Sequence, residues 1–512
     1  MPERTSILGG EAGQRGILGG AGGPLGRRDK IVAAIVGFFA YKVIDGIPGM
    51  IVGLLMGCGV LLLTRELPFG KSAAQIIGEQ GRWAIRRSKG RFDFAPLVYE
   101  QPPEPAKDAP PRVGPPAAPK PVRMLPDGVG RIRMLSYAHP AGGELAVLLH
   151  SNPGEADYLS AVMEIEGQPS GLTREEDIWD SAEAFGRMLA TCAGPTSLVQ
   201  EIQLLTRIVP IDPAAHEWYI LNNHAKDVPR ELLESYAGLL GEARLTLEQH
   251  RNYIVARIPL GFAFNEAQRD MGMQGSLDET RCMLVDQEMN RLASLASAAR
   301  LHPIRLLGPR RLAALLRSLQ DPDFFIDDIR DADFTTCWQP TRATRRHLLT
   351  NDKWATRMGY VPPDSVTLEP VSMRWLSPLL IGVQPSVIRT LSVNLRLEAA
   401  PRARREAKRD AAEDRGKLLS NREGGRVTDG SDLSQATASM RRLDDLRPGS
   451  GHSGVRWGMC LAITASEKTL RRASDLIMDK AGECGLSSLK WFDGAHDLAQ
   501  PFVWPLARGL KR

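Results

Sequence analysis

The sequence predicts an α+β cytosolic region, with antiparallel sheets packed with helices in two subdomains, behind an N-terminal transmembrane helical hairpin. Three observations carry this. Two apolar stretches, 31–44 and 47–63, are parted by a polar notch at Asp45 and bounded by arginines and lysines. A proline-dense run at 101–126 follows, and beyond residue 130 strand-period and helix-period segments alternate to the end. Such an order suits sheets packed against helices rather than a parallel α/β fold.

Residues 1–29 read as a glycine-rich cytoplasmic arm that repeats Ile-Leu-Gly-Gly at 7–10 and 17–20 and holds too few bulky apolar residues to fold. The hairpin occupies 30–66. Its spans are shorter than the roughly 20 residues a bilayer usually needs, a mismatch that bilayer thinning and a snorkelling Lys42 can absorb. Arg27, Arg28 and Lys30 precede it, and Arg82, Arg86, Arg87 and Lys89 follow it. Basic residues stay on the cytoplasmic side, so both flanks, and both termini, are expected in the cytoplasm at the inner membrane. The alternative is a single span at 47–63 with 31–44 lying in the interface. A signal peptide is disfavoured, because no small-residue cleavage site follows Leu63.

Residues 67–100 read as a basic interfacial helix in which Ile76, Ile77 and Trp83 fall near helical spacing among arginines, suited to an anionic lipid surface. The prolines of 101–129 forbid helix and sheet ladders and make a stiff spacer. Subdomain 1, 130–270, opens with strands at 131–137, 144–150 and 157–166. A helix capped by Thr173 and Glu176 follows, then strands at 198–209 and 216–221, a helix at 229–244 and a strand at 252–259. Subdomain 2, 271–512, begins with a long helix at 276–300, a strand at 303–307 and a helix at 310–319. It continues through a strand at 387–397, a charged helix at 399–420 and a flexible loop at 421–454 that leaves room for a helix at 433–446, and closes with strand 455–464, helix 467–480 and strand 487–492. The charged helix has almost no apolar face and reads as a solvated helix held by i,i+4 ion pairs.

Composition bounds the chemistry. A net charge of +5 over 512 residues gives no argument for nucleic-acid binding. The six cysteines are dispersed and read as reduced thiols, and no histidines stand at metal-ligand spacing. The nearest approach to a phosphate-binding loop, residues 68–72, has Arg65 where the first glycine is required. The acidic run 321–333 lacks the glycine and closing glutamate of a calcium loop. No cofactor, metal or catalytic residue is expected.

Several segments together suggest a relationship: Leu232-Leu233-Glu-Ser-Tyr236-Ala-Gly-Leu239-Leu240, Leu315-Leu-Arg317-Ser-Leu319-Gln-Asp321-Pro322, Met373-Arg374-Trp375-Leu376, the charged helix from Arg402, Arg456-Trp457 through Thr464, and Gln500-Pro501-Phe502-Val-Trp-Pro505-Leu506. On these residues the chain resembles an actinobacterial family of membrane proteins encoded with conjugation-type (type IV) secretion ATPases. The cytosolic part resembles the amino-terminal, non-motor domain of those ATPases, and the hairpin resembles the small two-span subunit often fused to them. No motor-domain residues can be carried over. The resemblance implies a non-enzymatic platform in a hetero-oligomeric secretion complex for conjugation and DNA transfer, docking a separately encoded P-loop ATPase and other membrane subunits. Two alternatives stand beside it: a membrane subunit of a type VII apparatus, and a membrane-tethered enzyme with a site assembled from residues such as His150, Asp180 and His224.

Overall fold

The computed structural model describes isolated positions between 38 and 56, then 73–88, 92–96 and, with short gaps, 124–510; the longest gaps are 167–172 and 424–429. Most of the expected hairpin, the arm and the spacer lie outside the described residues. Among the described residues no helix is long and apolar enough to cross a membrane. The described positions within the hairpin are helical, and Phe38, Ile51, Leu54, Leu55 and Met56 expose their side chains.

Helix α1 (Ala73–Ser88) and the short strand β1 (Asp93–Phe94) precede β2 (Ile132–Ala138), β3 (Glu144–His150) and β4 (Tyr158–Ile165). Helix α2 (Glu175–Cys192) leads to β5 (Glu201–Pro210), the helices α3 (Ala214–Asn223) and α4 (Arg230–Thr246), and β6 (Glu248–Pro259). Then come α5 (Phe262–Met271), α6 (Leu277–Ala298), β7 (Ile304–Leu306) and α7 (Pro309–Gln320). The remainder runs β8 (Thr341–Ala343), β9 (Leu348–Thr350), β10 (Trp354–Tyr360), α8 (Ser377–Leu380), β11 (Ile388–Glu398), α9 (Ala400–Glu423), α10 (Ser431–Asp445), β12 (Gly454–Ser466), α11 (Leu470–Glu483), β13 (Lys490–Trp491) and α12 (His496–Ala499).

The α+β class holds, but the expected plural sheets are one sheet of 13 strands. Its order is β1-β8-β9-β10-β12-β11-β5-β6-β4-β3-β2, with β13 on β10 and β7 on β4. The order mirrors about its centre. From β5 outward run β6, β4, β3 and β2; from β11 outward run β12, β10, β9 and β8. Each half carries a helical hairpin between its two innermost strands and a late short strand on its third. The chain therefore repeats one topology twice, joined by antiparallel pairing of β5 with β11, Glu201 opposite Arg396 through Ile208 opposite Arg389.

Packing runs across the expected division at 270/271. Helix α6, expected to open the second unit, buries Val285, Met289 and Leu292 against Ile254, Ala256 and Met163 of the first half, and β7 pairs with β4. Its start was legible, since Ser276 and Glu279 form a reciprocal capping box. On the same side of the second half, α11 sets Leu470 and Ile477 on Leu391, Leu461 and Ile463. The opposite face of both halves shares one core, built from α7, Trp338 and the segment 496–507. Leu312, Leu315, Leu316 and Leu319 of α7 are all buried at helical spacing, each removing apolar area worth about 1.5–3 kcal/mol from water.

Three local expectations change. Residues 216–221, rich in aromatic and β-branched side chains, fall in helix α3 rather than a strand, because Ala214, Ala215 and Leu221 favour a helix and so short a β signal is a weak one. Helix α2 starts one residue after Arg174, which makes no side-chain cap, so the Thr173–Glu176 capping box does not form. The charged helix α9 does have an apolar face: Ala403, Ala407 and Ala411 are buried at i,i+4 spacing.

Candidate functional site

Two surfaces emerge as candidates: the attachment of the segment 73–94, and the helices at the centre of the sheet. Strand β1 adds to the outer edge through β8, pairing Asp93 with Arg342 and Phe94 with Thr341. Helix α1 is thereby delivered to the second half. The ring of Trp83 lies 3.9 Å from that of Phe92, and the Arg86 guanidinium sits 5.4 Å over the Phe92 ring. Arg86 also donates to the Gly494 carbonyl at 3.3 Å and forms a short ion pair with Asp497, both partners largely buried. Arg86, one of the basic residues expected to flank the membrane, thus clamps α1 to the body. Arg87 and Ile85 are exposed on the outside of α1. The side chain of Arg82 lies outside what is described, as do Arg27, Arg28, Lys30 and Lys89 altogether.

Asp497 is held from behind. Its neighbour His496 is fully buried on α12 and accepts the Met358 backbone N–H at Nδ1, 3.2 Å. That bond needs an unprotonated nitrogen. Burial, the largest effect, holds the His496 pKa below its ordinary value, against the opposing pull of Asp493.

The second candidate is the hairpin α3–α4. On α4, Leu233, Tyr236 and Leu240 are half-buried, whereas Leu232 and Leu239, one heptad apart, are 62% and 60% exposed. On α3, Trp218 and Tyr219 are 57% and 58% exposed. Large aromatic and aliphatic groups left in water on two helices successive in the chain mark a candidate interaction surface.

The positions behind the family resemblance divide between core and surface. Leu315 and Leu319 are core. Arg317 lies 4.5 Å over the Phe324 ring. Asp321 follows α7, accepting the Asp323 N–H at 3.1 Å and the Asn351 side-chain amide at 2.9 Å, with burial raising its pKa. Pro322 begins the turn after it. Trp375 and Trp457 pack on the α11 core; Phe502 stands 5.6 Å from Phe492, and Pro505 is buried between Trp504 and Leu506. Only Tyr236 lies beside the exposed surface. The other positions are structural.

The described members of the acidic run are each engaged locally: Asp323 pairs with Lys353 and accepts from the Trp354 indole, while Asp333 caps Thr335 at 2.7 Å. Among the described residues no group of three or more His, Cys, Asp or Glu could hold a metal ion. The described cysteines are buried free thiols, and burial pushes Cys192 and Cys282 up to about 11. The residues offered for a tethered enzyme are not brought together. His150 is buried, stacked on Tyr158 at 4.0 Å and bonded to Ser160 at 2.8 Å; Asp180 is exposed on α2, which packs on the other face of the sheet. His224 lies outside the described residues.

No protein-family model matches the chain, and no curated protein matches it.

Proposed function

We propose that this chain is a non-catalytic, membrane-anchored platform of a conjugation-type secretion apparatus that docks a separately encoded P-loop ATPase through the α3–α4 hairpin. The observation that carries the docking surface is the exposure of two aromatic and two leucine side chains, Trp218, Tyr219, Leu232 and Leu239, on the two successive helices α3 and α4. The expectation of a membrane anchor rests on the two apolar stretches and their basic flanks. The clamp of α1 onto β1 and Asp497 supports it, since it joins the segment nearest those stretches to the body without a free linker. In this reading Ile85 and Arg87 meet an anionic lipid surface. The secretion system itself is taken from the family resemblance alone.

The test is co-purification of the full chain, extracted in detergent, with the P-loop ATPase encoded beside it. Wild type is expected to bring the ATPase down, and the double substitution Leu232→Asp, Leu239→Asp to lose it while still fractionating with membranes. An isolated chain with no ATPase, or a purified chain that hydrolyses ATP unaided, ends the proposal.

A further inference from the structure

Two arginines lie buried close together on the central strands, and their surroundings differ. Arg389 of β11 is 1% exposed, and every N–H of its guanidinium is engaged. It binds both carboxylate oxygens of Glu248 at 2.7 and 2.9 Å and donates to the carbonyls of Leu379, Leu380 and Val387 at 2.8, 2.8 and 2.9 Å. Arg207 of β5 is 3% exposed, yet among the described residues it donates only to the Thr390 hydroxyl at 2.7 Å and, weakly, to the Ser318 carbonyl at 3.5 Å. Its charged neighbour is Arg251, directly opposite on β6. Burial, more than that neighbour, drives the Arg207 pKa down to about 10, still far above neutrality. A guanidinium keeps its proton in proteins, and a lone buried cation costs several kcal/mol unless an anion compensates it.

The guanidinium borders a cavity of about 20 Å³ between the shared core and the seam of the sheet. Its polar lining is Arg207, Thr350, Thr356, Thr390, Thr464, Gln320 and Gln500, with no carboxylate. Of these only Thr356 is not fully buried. The hydroxyls are oriented by their other bonds. Thr390 accepts from Arg207, so its own proton is free to point elsewhere. Thr356 and Thr464 share one hydrogen bond at 3.0 Å, and whichever accepts it retains a proton to donate. The cavity therefore presents a positive charge and surplus O–H donors. A single water needs roughly 10–15 Å³, so this space holds one particle of about that size and excludes a phosphate or sulfate.

We infer that this cavity is a buried halide site, in which Arg207, Thr390 and the Thr356–Thr464 pair hold one chloride ion as the counter-charge that the described residues around Arg207 do not supply. Thr390 lies on β11 and Arg207 on β5, so the ion sits where the two halves of the sheet join.

The test is the thermal-unfolding midpoint of the full chain in detergent, titrated with chloride at fixed ionic strength against gluconate. A saturating, chloride-specific rise is expected, because a ligand bound only by the native state stabilises it by mass action. Bromide should reproduce the rise, and sulfate should not. Arg207→Met should abolish it. Should that variant fail to fold, Thr390→Val, which keeps the shape, should weaken the apparent chloride affinity at least tenfold. No chloride-specific rise in wild type, an equal rise with sulfate, or an undiminished rise in the variants each overturns the inference.

Discussion

The two helical hairpins occupy the same place in the two halves of the sheet, between the innermost strands, and they meet water differently. In α9–α10, Ala403 and Ala407 pack with Leu446, and Ala436 and Ala438 of α10 are buried too. Arg442 pairs with Asp410 at 3.3 Å, and Asp414 accepts from Ser439 and, at 3.3 Å, from Gln435. Arg456 of β12 then ties the base of the hairpin, reaching Glu398 and Glu406 at 2.7 Å each. Strand and helix approach so closely that a Cβ at Gly454 would fall 2.3 Å from that of Ala403. In α3–α4 the large apolar groups point outward instead. The same scaffold thus carries one pair of helices closed on each other by an alanine seam and ion pairs, with Leu419, Leu433 and Met440 still exposed on its outside, and one pair whose Trp218, Tyr219, Leu232 and Leu239 are exposed.

The largest test of that contrast is Arg456→Met. It strands the buried Glu398 carboxylate without its partner and is expected to cost about 3 kcal/mol by urea denaturation. A loss near zero would mean the second hairpin is not sealed by this pair. Next is Ala407→Leu, which overfills the alanine seam and should cost about 1–3 kcal/mol. A pH measurement sharpens the electrostatic part. Burial would raise the Glu406 pKa, but the bonds and charge of Arg456 outweigh it and hold the carboxyl below its ordinary value. A depressed carboxyl contributes stability above its unfolded pKa and loses it as pH falls through the folded one. The advantage of wild type over Glu406→Gln should therefore be full at neutral pH and close as pH drops below the ordinary carboxylate range. An advantage that persists in strong acid would break the assignment. The smallest effect belongs to α4: Leu232→Ala and Leu239→Ala should each change stability by less than about 0.5 kcal/mol, the range of exposed positions.

The sequence announced the elements whose signals are local. Strand β3 lies at the residues expected, and α6 runs where a long helix was expected from residue 276. What it concealed depends on distant partners. The alanine stripe of α9 looks neutral until α10 covers it. The basic residue Arg86 looks like a lipid contact until Asp497, over 400 positions later, turns it inward. The repeat was hidden because the halves share strand order rather than residues, and their dissimilar hairpins, Gly-Leu-Leu-rich in one and Arg-Glu-Lys-rich in the other, mask it further. The open surface had a faint signature, since Leu232-Leu233 and Leu239-Leu240 supply leucines to two faces of one helix, more than a single buried face can use.

Because β5 and β11 are hydrogen-bonded along their length, nothing resembling a hinge interrupts the sheet between its edges. Strands lie about 4.8 Å apart, so the path from β1 to β2 spans roughly 50 Å of continuous ladder. A pull arriving through α1 would enter that ladder at its weakest rung, the two residue pairs of β1 with β8, where the Arg86–Asp497 ion pair bears the load beside them.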